Sequence, residues 1–292
     1  MKNDMSNTRK WLPYTIYSMG VALFFIYYLF PSDTVKNIIT SHFNTANPGV
    51  NITIDHITPS FPPGLKLHHV NLYYLNDAMF NSEEIKITPN LLSLLGSRRI
   101  FFFKGSAFKG ILEGRGEFSK NRPYQNYMVQ GKFSGVQMEE ISTVKHYFGR
   151  SIKGMLSGEF TCRSGGESGG SLGAKLVISD GDVELLTPVF SMKRIPFSQI
   201  DADLTMMDRR LKVKRCDIKG APMDGSISGA VTLKEPPGTS YLKLSGVIKP
   251  NRLFLETLEN FPADLLPEKL MKKGVIRIRI YGTVDEPRFL LN

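Results

Sequence analysis

Residues 276–280 read IRIRI, three isoleucines interleaved with Arg277 and Arg279. A period of two places Ile276, Ile278 and Ile280 on one side of an extended chain and both arginines on the other, which describes a strand with one apolar and one solvated face. The rule recurs along the chain. Leu242 and Leu244 flank Lys243, Leu211 and Val213 alternate with Lys212 and Lys214, and Ile85 and Ile87 flank Lys86. Leu65 and Leu67 alternate with Lys66 and His68, and Ile52 and Ile54 with Thr53 and Asp55. About a dozen segments follow this pattern. The outward lysines and arginines keep one face wet and discourage edge-to-edge pairing. The 26 glycines and 17 prolines are spread along the chain and supply its turns.

The phrases KGMLSGEF (153–160), DGSISGAV (224–231), KLSGVI (243–248) and RIYGTV (279–284) each set a glycine inside a strand, with an apolar side chain soon after. Strand glycines mark bulges, bends or close backbone approach. Their recurrence predicts a mainly β fold: a long, curved antiparallel sheet forming a groove, a sandwich or a partly closed barrel. Helical signals in the β region are short. Leu91, Leu92, Leu94 and Leu95 follow Thr88-Pro89 and stop at Gly96; Met138, Ile141, Val144 and Phe148 suggest a second helix, and Phe254, Leu255, Leu258 and Phe261 a third. RSGGESGGS (163–171) reads as a hairpin tip or junction. So few helices cannot form a full second layer, so the apolar face is a candidate site for acyl chains or a partner's apolar segment. Its candidate lining is Ile52, Ile54, Leu65, Leu67, Leu72, Ile85, Ile87, Phe101, Phe103, Leu242, Leu244, Ile276, Ile278 and Ile280.

Ahead of the strands lies WLPYTIYSMGVALFFIYYLF (11–30), twenty residues without a charge. As a helix it spans about 30 Å, the depth of a bilayer's hydrocarbon core. Trp11 and Tyr14 stand at one end and Tyr27, Tyr28 and Phe30 at the other, with Gly20 and Phe24 between. Arg9 and Lys10 precede the span, so the expected orientation has a cytoplasmic tail (1–10), a transmembrane helix (11–30), an amphipathic linker helix (31–48) and a translocated β domain (49–292). In the linker, Val35, Ile38, Ile39 and Phe43 fall on one helical face. The net charge is +10, of which Lys2, Asp4, Arg9 and Lys10 account for +2, leaving 10 − 2 = +8 on the rest. Beyond a membrane, that charge suits anionic headgroups or acidic proteins better than nucleic acid.

No cluster predicts catalysis, a cofactor or a metal. His68 and His69 are adjacent and expected on opposite strand faces, which argues against a shared ion and favours ordinary surface or half-buried histidines. GSISG (225–229) lacks the central serine of a nucleophile elbow, and GRGEF (114–118) lacks the third glycine of a dinucleotide loop. RRIFFFKGSAFKG (98–110) reads as a strand with Phe101 and Phe103 inward and a basic rim. Cys162 and Cys216 could bridge or remain as two buried thiols.

The anchor, then GVNITIDHITPSFPPGLKLHHVNL (49–72) and EEIKITPNLLSLLG (83–96), resembles the start of the periplasmic domain of the type II secretion system protein N (GspN) family, and is similar to the wider AsmA-like envelope proteins. YGTVDEPRFLL (281–291) resembles the strand pair that closes AsmA-like domains. The resemblance covers nearly the whole chain and rests on the order of structural phrases. It implies a single-pass bacterial inner-membrane protein with its bulk in the periplasm, accessory to protein secretion and meeting other secretion components. The AsmA-like side implies a β-groove that binds or moves phospholipid. Neither carries catalytic residues, only structural positions: Gly64, Pro89, Leu91, Gly282 and Pro287.

Overall fold

The structure, a computed structural model, describes residues 5–46, 49–61, 63–74, 77–123, 125–141, 144, 149–164, 170–189, 192–251 and 274–291. Two helices lead: α1 (Met5–Tyr28) and α2 (Ser32–Ala46). Fifteen strands follow among the described residues: β1 (Val50–Thr53), β2 (His56–Ser60), β3 (Gly64–Tyr74), β4 (Asp77–Pro89), β5 (Arg98–Ala107), β6 (Gly110–Ser119), β7 (Tyr127–Gln137) and β8 (Ile152–Ser164). The second half is β9 (Gly170–Val189), β10 (Met192–Met207), β11 (Arg210–Lys219), β12 (Met223–Thr232), β13 (Tyr241–Pro250), β14 (Ile276–Thr283) and β15 (Pro287–Leu291).

All fifteen belong to one antiparallel sheet, and from β3 onward each strand pairs with the next in sequence. β1 and β2 both pair with β3, at its two ends. The first strands and β15 do not pair with each other, so the sheet is open, neither barrel nor sandwich. Because β1 and β2 share one edge of β3, thirteen strand spacings make it about 62 Å across. The accessible surface is 20,231 Å² for 32.8 kDa, where a compact monomer of that mass exposes about 12,500 Å². The exposed length of α1 and the single-layered sheet both add to the excess: among the described residues, no second sheet packs on the first.

Full burial is confined to a few places. Ile54, Ile57, Leu67 and Val70 form a core with Phe30, Val35 and Ile39 packed on it, so α2 caps the apolar face at the β1–β4 end. The Ser32 hydroxyl donates to the Ile57 carbonyl (2.6 Å), the Ile57 amide returns a bond to that hydroxyl (3.1 Å), and Asn44 accepts from the Ile52 amide (2.8 Å). Of the residues expected on α2's packing face, Val35 and Ile39 point inward while Ile38 is exposed; the helix lies over the first strands at one end of the sheet, too narrow a surface to engage the whole stripe.

The short leucine helix forms as a 3₁₀ turn, Leu91–Leu95, capped by Asn90 and ended at Gly96. Its leucines face outward rather than into the sheet. Of the second predicted helix, Met138–Glu140 is a single 3₁₀ turn; residues 145–148 lie outside the described residues, as do the third predicted helix within 252–273 and the centre of the glycine-rich tip, 165–169. Ser164 and Gly170 pair on either side of that tip, as in a hairpin.

Candidate functional site

In an antiparallel sheet, directly opposed residues share a face, so the registers trace each face strand by strand. Ile57 opposes Leu67, Leu67 opposes Ile85, and Leu65 opposes Ile87. Ile87 opposes Phe103, which opposes Gly114, then Gly131, Phe160, Ala174, Leu204 and Val213. The same row continues through Gly229, Leu244, Ile280 and Phe289. Parallel rows carry Phe101, Val129, Cys162, Leu172, Met206, Leu211, Val231 and Leu242, and Leu156, Ile178, Ile200, Ile218, Ile248 and Ile276. One apolar face therefore runs without a break across the sheet.

Every predicted lining residue in a strand falls on this face: Ile52, Leu65, Leu67, Leu72, Ile85, Ile87, Phe101, Phe103, Leu242, Leu244, Ile276, Ile278 and Ile280. Ile54 sits in the corner between β1 and β2 and belongs to the core under α2, as does Leu67, which is only 4% exposed. Those two are structural. From β5 to β14 most side chains of the apolar face are half-buried, each shielded by its neighbours, with Ala107, Val136 and Phe197 buried. Among the described residues α2 is the one α-helix packed on the sheet, and it covers only the core at the β1–β3 end.

The predicted structural positions are turn positions. Gly64 pairs with Ser60, and a β-carbon there would stand 2.5 Å from the Ile87 carbonyl oxygen. Pro89 ends β4 opposite Phe101. Gly282 has φ +98 and pairs with Pro287 across the last hairpin, a backbone conformation that favours glycine.

The opposite face is polar and carries a charged row. Lys104 opposes Glu113 (3.7 Å), Glu113 opposes Lys132, and Lys132 opposes Glu159. Lys175 pairs with Glu159 (3.4 Å) and opposes Asp203, which pairs with Lys214 (3.4 Å). An open cleft of about 880 Å³ lies over this row, but its charges largely compensate one another, and exposed pairs of this kind each contribute about 0–1 kcal/mol. Farther along the same face, a cleft of about 910 Å³ has Arg163, Arg210, Lys212 and Lys243 in its lining and no carboxylate. The sequence showed the surplus of positive charge but not its gathering here, which depends on register across six strands.

Among the described residues no group of three or more histidines, cysteines or acids could hold a metal ion. His68 bonds Thr58 (3.0 Å) and stacks on His56, whereas His69, with φ +49, faces Asp55 (3.6 Å). Burial pushes the Cys216 thiol up, and Asp217 and Asp201 add to the shift. Burial also raises Tyr127, with Cys162 contributing.

Among the described residues no helix is long and apolar enough to cross a membrane. In α1 the apolar residues are interrupted by Pro13, Thr15 and Ser18 and by Trp11 and four tyrosines, which lower its mean hydropathy. Compared with known proteins, the chain matches no family model, no curated protein and no solved structure.

Proposed function

We propose that the chain is a membrane-anchored β-groove protein whose apolar face holds phospholipid acyl chains. The supporting observation is the apolar row from Leu65 to Phe289 on a sheet that, from β5 to β14, has no second layer among the described residues. An apolar strip of that length is costly in water, at about 25 cal/mol per Å² left wet. Flexible hydrocarbon can cover it without needing a particular side-chain fit.

In this reading α1 seats the chain in the bacterial inner membrane, with Arg9 and Lys10 on the cytoplasmic side and the sheet in the periplasm. Support comes from its surface: Trp11, Tyr14, Ile16, Tyr17, Met19, Phe24, Phe25 and Tyr28 are all exposed, an arrangement suited to lipid rather than to water. The rings that depress its hydropathy favour interfaces, and the Thr15 hydroxyl is bonded to the Trp11 carbonyl (3.0 Å). An accessory or scaffold role in type II secretion is the second reading, supported by the order of the phrases at 49–72, 83–96 and 281–291.

The test is extraction and mass spectrometry of lipid bound to protein purified in mild detergent, beside a Leu244→Glu, Ile278→Glu variant. Those positions are half-buried in the open part of the face, unlike Leu67, whose replacement would break the core. Phospholipid near one per chain, lost in a variant with an unchanged circular dichroism spectrum, supports the groove. Only the lipid expected around one helix, equal in both proteins, rejects it in favour of the scaffold.

A further inference from the structure

The ends of the first strands carry a patch that neither the groove nor the core uses. In the Leu91–Leu95 turn, Leu92 is 84% and Leu95 88% exposed, and Phe61 in the β2–β3 turn is 80% exposed. These are large apolar side chains displayed at turn tips, where polar residues are usual.

Contacts tie the patch to α1. The Tyr27 hydroxyl donates to the Ser60 carbonyl at the end of β2, while Ser32, at the start of α2, meets Ile57. From Ile57 to Ser60, β2 therefore runs back alongside the end of α1, about 10 Å of strand. The turn that follows lies at the level of Tyr27 or beyond. Lys86 donates to the Phe61 carbonyl (3.1 Å), which fixes this turn beside the end of β4. The leucine turn follows directly, held by Asn90 to Ile100 (2.8 Å) and by the Ile100 amide to the Ser93 hydroxyl (2.9 Å). The Lys120 amide then bonds the Ser97 carbonyl (3.0 Å), adding the β6–β7 loop. Arg98, Arg99, Lys120 and Arg122 are exposed around these tips; the nearby acid, Glu117, is already paired with Arg98 and Arg115.

We infer that this end of the sheet docks on the membrane that holds α1, with Phe61, Leu92 and Leu95 entering the headgroup region and Arg98, Arg99, Lys120 and Arg122 meeting lipid phosphates. The inference rests on the reading of α1 as membrane-embedded. Given that reading, Tyr27 stands at the interface, and whatever is bonded beside it shares its depth. Apolar side chains with basic residues around them are the composition that anionic interfaces bind. Docking here would bring the β2–β6 end of the apolar face against the bilayer surface, where acyl chains could pass between membrane and groove.

The test uses the full chain, with Cys162→Ser and Cys216→Ser, in vesicles of phosphatidylethanolamine and phosphatidylglycerol. An environment-sensitive fluorophore is attached at Leu92→Cys or, at the opposite end of the same strands, at Lys109→Cys. Trp11 is the chain's single tryptophan and reports α1 independently. Docking predicts that the Leu92 label shifts to the blue and is quenched by lipids doxyl-labelled near the headgroup, while the Lys109 label remains open to iodide. A Leu95→Glu, Arg99→Glu variant should abolish the shift at the Leu92 label. A Leu92 label as open to iodide as the Lys109 label, with Trp11 quenched by lipid, overturns docking and leaves the anchor reading standing; the leucines would then be free for a protein partner. Trp11 beyond reach of lipid quenchers overturns the anchor reading, and docking with it. Neither result depends on lipid in the groove, which extraction measures separately.

Discussion

A β-carbon on Gly131 would stand 2.5 Å from the ring of Phe160, and one on Gly158 would stand 2.9 Å from the ring of Phe133. Phe103 reaches over Gly114 in the same way. Rings laid across bare backbone restore some of the apolar cover that glycine lacks, and the glycines make room for them. Gly131→Val should therefore force Phe160 off its seat and cost about 1–3 kcal/mol in urea unfolding. Gly173→Ala, with no atom within 4 Å of the new carbon, should change stability by less than about 0.5 kcal/mol. The cysteines give a second prediction at this scale. Cys162 is on β8 and Cys216 on β11, three strand spacings and so more than about 14 Å apart, whereas a bridge needs α-carbons within about 7 Å. Non-reducing electrophoresis should show no internal bridge under oxidising conditions. With its thiol pushed up by burial, Cys216 should alkylate more slowly than a free thiol at neutral pH and accelerate only above pH 9.0, its ordinary value. A raised acid favours the protonated thiol in the folded state, so the stability this contributes is present below that value and declines as pH rises through the folded one.

At the scale of elements, α2 acts as the cap on the sheet's first end. Ile39→Ala should cost about 2 kcal/mol, because it opens a gap over Ile57 and Leu67, and hydrogen exchange should quicken in β1–β3. Ile38→Ala, on the exposed side, should be near neutral in the same melt. The strands were legible because Leu65, Leu67, Ile85 and Ile87 alternate with lysine, and alternation also dictates which face they share once they pair. That is why the residues expected to line the groove fall together. The outward aim of Leu92 and Leu95 was not legible: a run of leucines after an N-cap reads as a packing helix, and only the 3₁₀ geometry and the position at a strand end turn them to solvent. The split between Val35 and Ile38 escaped for a similar reason, since periodicity marks a stripe and the width of its partner decides how much of it is covered. The meeting of Arg163, Arg210, Lys212 and Lys243 depends on registers that no local pattern encodes.

Among the described residues the sheet is one layer, each strand resting on its neighbours, and the chain has a surface of 20,231 Å². An open apolar face of this kind stabilises the fold only where something covers it, and α2 covers one end. If acyl chains cover the rest, bound phospholipid stabilises the native state by mass action. Thermal melts of protein stripped of lipid should then move upward as phospholipid is restored, and the Leu244→Glu, Ile278→Glu variant should not respond. The most direct test of the groove is photocrosslinking in native membranes, with p-benzoylphenylalanine placed singly at Leu204, Leu244 or Ile280 on the apolar face, or at Lys175, Lys243 or Arg279 on the polar one. Phospholipid adducts at the first three positions and none at the second three are the predicted result. Adducts to protein alone, or lipid on both faces equally, would contradict it.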